Sequence, residues 1–135
     1  MARESFTIQS AGAISLTAEA EGDAYALPVL LAHGGGQTRR AWRRVVSELA
    51  QAGFRAIAFD MRGHGDSDWS PCGAYEMRDF AADLVAAASR LDQKPALVGA
   101  SLGGLAGLIA EGSLLQVALL RSHWSTLPRA WSPAV

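Results

Sequence analysis

Ser101 lies in the sequence Gly-Ala-Ser-Leu-Gly, 99–103, a G-x-S-x-G pattern between an apolar run at 95–98 and a further apolar segment. In that context the pattern predicts a sharp strand-to-helix turn that presents the serine hydroxyl at the carboxyl end of a strand. The N–H of the next residue, Leu102, would then point at an oxyanion developing on a bound acyl group, near the positive end of a helix. The same five residues also fit a turn of small residues that serves close packing alone.

A glycine-rich loop follows an earlier apolar run, at 28–32. It begins with His33 and three glycines, 34–36, and continues with Gln37 and Thr38. Glycines there let backbone N–H groups approach a ligand closely, as a second oxyanion donor must. Two alternatives stay open: a flexible turn beside a core histidine, and a phosphate-binding loop, although the Lys-Ser/Thr ending of a P-loop is absent.

A polar loop follows the next apolar run, at 55–59. Its residues 60–67 read Asp-Met-Arg-Gly-His-Gly-Asp-Ser. We interpret its ionisable residues as groups that shape the loop by pairing with one another and with backbone, and not as a catalytic acid or base. These residues are Asp60, Arg62, His64 and Asp66.

The segments that position these loops alternate between strand and helix. Residues 5–9 and 14–20 predict an antiparallel hairpin, and the apolar runs at 28–32, 55–59 and 95–98 predict parallel strands buried on both faces. This alternation predicts an α/β protein with an open, mostly parallel sheet and helices on both faces.

Two helices are predicted between the apolar runs. The first has Thr38 as its N-cap and Gly53 as its stop signal, and the second begins at Met77. In each helix apolar residues recur at helical spacing, and the charged residues are expected on a solvated face. These charged residues are Arg39, Arg40, Arg43, Arg44 and Glu48 in the first helix, and Arg78, Asp79, Asp83 and Arg90 in the second.

Taken together, the three loops resemble those of the α/β-hydrolase superfamily in order and spacing. HGGGQT is similar to its His-Gly oxyanion loop, DMRGHGDSD to the loop after the next strand, and VGASLGG to its nucleophile elbow. The resemblance runs from about Ser5 to Gly112 and is greatest to the branch of bacterial serine esterases, lactonases and cofactor-free haloperoxidases. It implies that residues 1–112 are the N-terminal part of an α/β-hydrolase domain.

The resemblance also implies roles for individual residues. Ser101 is expected to be the nucleophile, and the backbone N–H groups of Gly35 and Leu102 are expected to be the oxyanion donors. His33 and Gly34 are expected to support the donor loop.

The presence of serine, and not aspartate, at the nucleophile position limits which of the superfamily's reactions the resemblance implies. Superfamily members with aspartate at this position open epoxides or displace halide through an ester that water can cleave, whereas serine would leave an ether. Serine therefore favours acyl chemistry on a small-molecule ester, lactone, thioester or β-diketone, with no cofactor and no metal. Trp69 and Gln37 are expected to line the pocket.

The family pattern breaks after Ser101. Superfamily members carry an acidic residue and then a histidine later in the chain, but here only Glu111 and His123 follow, and no aspartate. We therefore expect an incomplete catalytic set and an aberrant tail at 113–135. The alternative is a non-catalytic truncated remnant, or a fragment that binds small ligands weakly. Uncovered apolar surface is expected to promote self-association.

The tail itself suggests a shifted reading frame. Codons chosen within the degenerate code for residues 123–131 read in another frame as Leu-Val-Asp-Val-Ala-Pro-Arg-Met, a strand-like run similar to what the superfamily has at this point. The sequence therefore predicts a frameshift between about Gly112 and His123.

The overall composition excludes several classes of protein. Twelve Lys+Arg against thirteen Asp+Glu give a net charge of −1, which provides no footprint for nucleic acid or an anionic membrane. The single cysteine, Cys72, cannot form an internal disulfide, and the N-terminus has no apolar signal segment. The uncharged stretch at 95–110 is shorter than the roughly 20 residues that a membrane helix needs. We expect a cytoplasmic protein without nucleic-acid, membrane or metal partners.

Overall fold

The computed structural model describes residues 2–112, and strands and helices alternate within them in the predicted order. Residues 113–135, and with them the predicted frameshift, lie outside the described residues. The strands are β1 (Glu4–Ser10), β2 (Ile14–Glu21), β3 (Pro28–Ala32), β4 (Arg55–Phe59) and β5 (Ala96–Gly99). The helices are α1 (Arg43–Gln51), α2 (Met77–Ser89) and α3 (Leu102–Gly112), and 3₁₀ turns at Ala11–Ala13 and Arg39–Trp42 precede β2 and α1.

The strands form one sheet in the order β1-β2-β4-β3-β5. β3 pairs in parallel with β4 and β5, whereas β2 is antiparallel to both of its neighbours, so four of the five strands run in one direction. This confirms the predicted open, mostly parallel sheet with an antiparallel hairpin at its start. In the register of the sheet Ala32 lies beside both Phe59 and Gly99. The loops that follow β3, β4 and β5 therefore leave the sheet at the same edge.

Helices cover both faces of the sheet, as predicted. Along β3, Leu30 points into the cluster that contains Leu84 of α2, and its neighbours Val29 and Leu31 point into the cluster that contains Val46 of α1. Because both sets of side chains are buried, the strand is apolar at successive positions instead of alternating. α3 joins α2 on the first face.

The N-cap predicted at Thr38 caps the 3₁₀ turn at Arg39–Trp42, which precedes α1, and the stop signal predicted at Gly53 follows α1. The Thr38 side chain accepts the N–H of Arg40 at 3.3 Å, and Gly53 has the positive φ of 94° that is typical of a helix stop. No helix within residues 2–112 has the length and hydropathy needed to cross a membrane.

Two charged residues that were predicted on solvated helix faces are buried instead. Arg39 is 7% exposed and pairs with Asp60, which is itself fully buried. Asp83 of α2 is also fully buried, and its carboxylate pairs with Arg62 at 2.7 Å. The prediction was wrong because helical spacing alone assigns charged residues to the outer face of a helix. It does not reveal that another loop supplies an opposite charge, which makes burial of the charged side chain energetically possible.

The prediction that β5 is buried on both faces was also wrong. Ala96, Val98 and Gly99 are exposed, and Leu97 alone packs against the core. β5 is the outermost strand of the sheet that the structure describes, with β3 as its neighbour on one side. Within residues 2–112 nothing covers its other edge.

Candidate active site

Ser101 lies at the tip of a sharp turn between β5 and α3. β5 ends at Gly99, α3 begins at Leu102, and Ser101 is exposed with a φ of 49°. This is the left-handed region, which residues other than glycine seldom adopt. The strand-to-helix turn and the unusual backbone conformation predicted for Ser101 are therefore both present.

Two glycines allow this turn to close against the sheet. A Cβ on Gly99 would lie 2.6 Å from backbone atoms of Gly103 and Gly104, and a Cβ on Gly103 would lie 2.3 Å from the carbonyl oxygen of Ala32. Neither position has room for a side chain. Ala100 donates its N–H to the same Ala32 oxygen at 3.1 Å, so the serine turn is held directly on the end of β3.

The loop after β3 forms a second turn beside the serine turn. Gln37 donates its N–H to the Gly34 carbonyl, and the Gln37 side-chain oxygen accepts the Gly34 N–H, both at 3.1 Å. A Cβ on the next residue, Gly35, would lie 3.8 Å from Cδ2 of Leu102. Among residues 2–112 the N–H groups of Gly35 and Leu102 have no hydrogen-bond acceptor. Both N–H groups are thus available to an oxyanion near Ser101.

His33 joins this second turn to the loop after β4. Its ring is fully buried, and its Nε2 accepts the N–H of Met61 at 3.0 Å. The ring proton therefore lies on Nδ1, which donates to the Gly34 carbonyl at 2.8 Å. Burial lowers the pKa of His33 below its ordinary value; the Gly34 carbonyl and Asp60 oppose the shift, and His64 adds to it. His33 is thus a neutral bridge between Gly34 and Met61.

His64 makes a second bridge of the same kind, between Gly36 and Arg62. Its Nε2 accepts the N–H of Gly36 at 3.0 Å, so its proton lies on Nδ1, which donates to the Arg62 carbonyl at 2.9 Å. The rings of His33 and His64 are in contact with their centroids 4.9 Å apart and their planes tilted by 57°. Sequence reasoning placed His64 in the loop but missed its bond to the glycine-rich turn, because no spacing in the sequence links the two loops.

A buried carboxylate fixes the loop that contains His64. Asp60 accepts the backbone N–H groups of Arg39 at 2.6 Å and Asp66 at 3.0 Å, and it pairs with the Arg39 guanidinium. The guanidinium also bonds to the Asp66 carboxylate at 3.0 Å. These contacts agree with the interpretation of Asp60 and Asp66 as residues that shape the loop.

Arg62 ties the same loop to α2 and to the first strand. It donates to the Asp83 carboxylate through Nε at 2.9 Å and through Nη2 at 2.7 Å, and the Ser10 hydroxyl donates to the same carboxylate at 2.6 Å. Arg62 therefore also shapes the loop, although its partner is Asp83 and not a residue of the loop itself.

The described residues do not supply a base for Ser101. His33 and His64 each use both ring nitrogens in bonds to backbone, and neither is bonded to the serine. Glu111 is exposed near the end of α3, and His123 lies outside residues 2–112. This part of the chain thus holds the predicted nucleophile and the two predicted donors, and no base is bonded to Ser101 among its residues.

Other residues singled out in the sequence lie apart from this chemistry. Trp69, expected to line the pocket, is 75% exposed, and the Gln37 side chain is occupied with Gly34. Cys72 is an exposed free thiol. Within residues 2–112 no group of three or more metal-ligating side chains is present.

Comparison with known proteins agrees with this fold. The family model of the alpha/beta hydrolase fold matches residues 28–110. The chain is 40% identical over 77 residues to a putative non-heme chloroperoxidase of Synechocystis sp., covering 56% of this chain and 28% of that protein. It is 36% identical over 116 residues to the putative carbamate hydrolase RutD of Variovorax paradoxus, covering 84% and 42%.

Solved structures agree on the fold. Epoxide hydrolase VrEH1 of Vigna radiata superposes with a TM-score of 0.77 at 25% identity, over 84% of this chain and 35% of that one. The chain thus spans less than half the length of each of these three proteins. Because the family model covers more than half of the sequence, the chain belongs to the alpha/beta hydrolase fold family.

Proposed function

We propose that this chain is the amino-terminal part of a serine hydrolase that cleaves an ester, a lactone or a similar acyl substrate. The observation that carries the proposal is the conformation of Ser101, which has a φ of 49° and adjoins Leu102, whose side chain lies against Gly35. The N–H groups of Gly35 and Leu102 have no acceptor within residues 2–112. A strained residue persists only where its surroundings impose the strain, and such residues concentrate at functional sites. Here the close contact between Gly103 and β3 imposes it.

The proposed reaction proceeds through an acyl-enzyme. The Ser101 oxygen attacks the carbonyl carbon, and the oxyanion accepts hydrogen bonds from the Gly35 and Leu102 N–H groups. When the tetrahedral intermediate collapses, the bond to the leaving alcohol breaks, and the alcohol oxygen takes up the proton that the serine lost. Water then cleaves the acyl-serine ester, which releases the carboxylic acid and restores the hydroxyl. The histidine and carboxylate that move these protons are proposed to lie outside residues 2–112.

Serine chemistry favours acyl substrates over epoxides, although epoxide hydrolases are among the relatives. Attack of a serine hydroxyl on an epoxide carbon would form an ether, which water does not cleave under these conditions. An acyl-serine ester, by contrast, is cleaved by the same machinery that formed it. The proposal therefore names an acyl group and not an epoxide.

A second function is favoured by the hydrogen bonds of the two histidines, which leave neither ring nitrogen free to serve as a base. His33 and His64 are both committed to backbone bonds, so Ser101 has no base within residues 2–112. A serine without a base is a weak nucleophile near neutral pH. On this ground the alternative is a non-catalytic fragment that binds a small ligand weakly at the serine turn.

Turnover of a p-nitrophenyl ester distinguishes the two functions. The hydrolase proposal predicts release of more than one equivalent of p-nitrophenol per chain, and Ser101→Ala should reduce the rate to that of buffer. Cys72→Ala is the matched control, because its exposed thiol could also react with the ester. If wild type and Ser101→Ala give the same rate, the hydrolase proposal fails for this chain and the binding alternative stands.

We also propose that residues 113–135 are read in a shifted frame. The chain spans 28% and 42% of two relatives, and the alternative frame yields a strand-like segment. A strand at that point would lie beside the uncovered edge of β5, since strand–helix–strand crossovers are right-handed. Sequencing the gene and its downstream region tests this: an unshifted frame without a hydrolase-like continuation would refute it.

A further inference from the structure

The glycine-rich turn depends on few contacts for its shape. Gly35, Gly36 and Gln37 are exposed, and a Cβ on Gly36 would meet no atom within 4 Å. The bonds between Gly34 and Gln37 close the turn on itself but do not fix it relative to α3. Glycine backbone is conformationally free, so the position of Gly35 must be set by bonds from outside the turn.

One such bond comes from His64. The Gly36 N–H donates to His64 Nε2 at 3.0 Å, and Gly36 is the immediate neighbour of the proposed donor Gly35. On the other side of Gly35, His33 donates its Nδ1–H to the carbonyl oxygen of Gly34. The two histidines thus hold the residues on either side of Gly35.

His64 itself is firmly anchored, as a residue that positions another must be. Its Nδ1 donates to the Arg62 carbonyl, and its backbone N–H donates to Met61 at 3.0 Å. Its ring centroid lies 4.9 Å from that of His33 and 6.3 Å from that of Phe80, whose plane is inclined to it by 68°. The anchor therefore belongs to the loop after β4, which Arg62 ties to Asp83 of α2.

We propose that His64 is a positioning residue: its Nε2 holds Gly36 so that the Gly35 N–H stays beside the Leu102 N–H and the two form one oxyanion site. This inference rests on the proposed function. Breaking the bond leaves Gly35 in place but mobile, so the expected loss is smaller than for removal of an oxyanion donor, which costs about 100-fold to 1,000-fold. A single hydrogen bond corresponds to about a fivefold to tenfold loss.

The bond can be observed in the ¹⁵N-labelled chain without any assay of activity. An N–H···N hydrogen bond transmits a ¹⁵N–¹⁵N coupling, which should appear between Gly36 and His64 Nε2. The Met61 bond to His33 Nε2 has the same length, 3.0 Å, and serves as the internal control. A nuclear Overhauser effect between Gly35 and the Leu102 methyl groups reports the position of the turn. If the control coupling is present in wild type and the Gly36 coupling is absent, the proposal is overturned.

Two substitutions test the positioning itself. His64→Phe keeps a flat ring but removes the acceptor, and the Gly35–Leu102 effect should weaken while the Met61–His33 coupling remains. His64→Gln keeps an acceptor near the position of Nε2, and the effect should persist. An unchanged effect in His64→Phe, or its loss in a folded His64→Gln variant, would contradict the proposal.

The rate of Ser101 labelling by a fluorophosphonate then separates this proposal from the proposed function. We expect His64→Phe to label about fivefold to tenfold more slowly than wild type, and His64→Gln to stay within about threefold. Cys72→Ala should label at the wild-type rate. Equal labelling of wild type and His64→Phe overturns the positioning role alone. Absence of labelling in wild type counts against the proposed function. The nuclear magnetic resonance result then still decides whether His64 holds Gly36.

Discussion

Gly103 of α3 lies against Ala32, the last residue of β3, so closely that a Cβ on Gly103 would be 2.3 Å from the Ala32 carbonyl oxygen. This contact determines where the helix begins relative to the sheet. It therefore determines where Ser101 and Leu102 lie relative to the turn that carries Gly35. The same carbonyl accepts the Ala100 N–H, so one backbone oxygen organises both sides of the serine turn.

Gly103→Val is expected to destabilise the chain by about 3 kcal/mol or more, because the neighbouring atoms are backbone and cannot move aside. Gly112→Ala is the matched control in the same helix, since a Cβ there would meet nothing within 4 Å. The control should be neutral or stabilising by up to about 1 kcal/mol. Chemical denaturation followed by circular dichroism measures both. Equal stability of the two variants would show that α3 does not dock on β3 in this way.

Arg39→Ala should cost about 3 kcal/mol of unfolding free energy, because it leaves the buried carboxylate of Asp60 without its counter-charge. The adjacent residue provides the control. Arg40 is exposed, so Arg40→Ala should change stability by less than about 0.5 kcal/mol. A loss below about 1 kcal/mol for Arg39→Ala would contradict the buried ion pair.

The stability of the chain should fall as the pH drops below about 6.5, the ordinary pKa of histidine. Burial lowers the pKa of His33 in the folded state, so between the lowered value and about 6.5 the unfolded chain binds a proton that the folded chain does not. The contribution of His33 to the unfolding free energy is therefore fully present above about 6.5 and is lost as the pH falls from there to the lowered pKa. Unfolding free energies at a series of pH values should show this slope in wild type and a smaller one in His33→Gln. An identical slope in both would assign the dependence to other groups.

Self-association should occur through the apolar surface formed on α3 by Leu105, Leu108 and Ile109, which are 54%, 69% and 43% exposed. An apolar patch of this kind promotes association of otherwise soluble chains. Leu108→Glu should shift the chain toward monomer in sedimentation velocity. Tyr25→Ser, at an exposed site that is not part of this surface, is the control and should leave the distribution unchanged. A wild-type chain that is monomeric at all concentrations would rule out the association.

The order of strands and helices along the chain, the stop signal at Gly53 and the turn at Ser101 were all predicted from the sequence, because each depends on local features. The apolar runs at 28–32 and 55–59 form β3 and β4 with the same bounds. A strand that is buried on both faces needs apolar residues at consecutive positions, which makes it recognisable in the sequence. The errors concern contacts between segments far apart in the chain. Asp83 meets Arg62 across 21 residues and Gly36 meets His64 across 28, and no periodicity encodes such pairs.

The central claim is that Ser101 is the nucleophile, and mapping of a fluorophosphonate adduct by mass spectrometry tests it most directly. Oxyanion donors and binding alone preserve about 10³-fold to 10⁴-fold of catalysis when a triad member is missing, so the account predicts slow labelling of this chain at one site. Peptide mapping should place the adduct on Ser101, and Ser101→Ala should abolish it while leaving the unfolding free energy nearly unchanged. An adduct on another residue, or labelling that survives Ser101→Ala, would contradict the account.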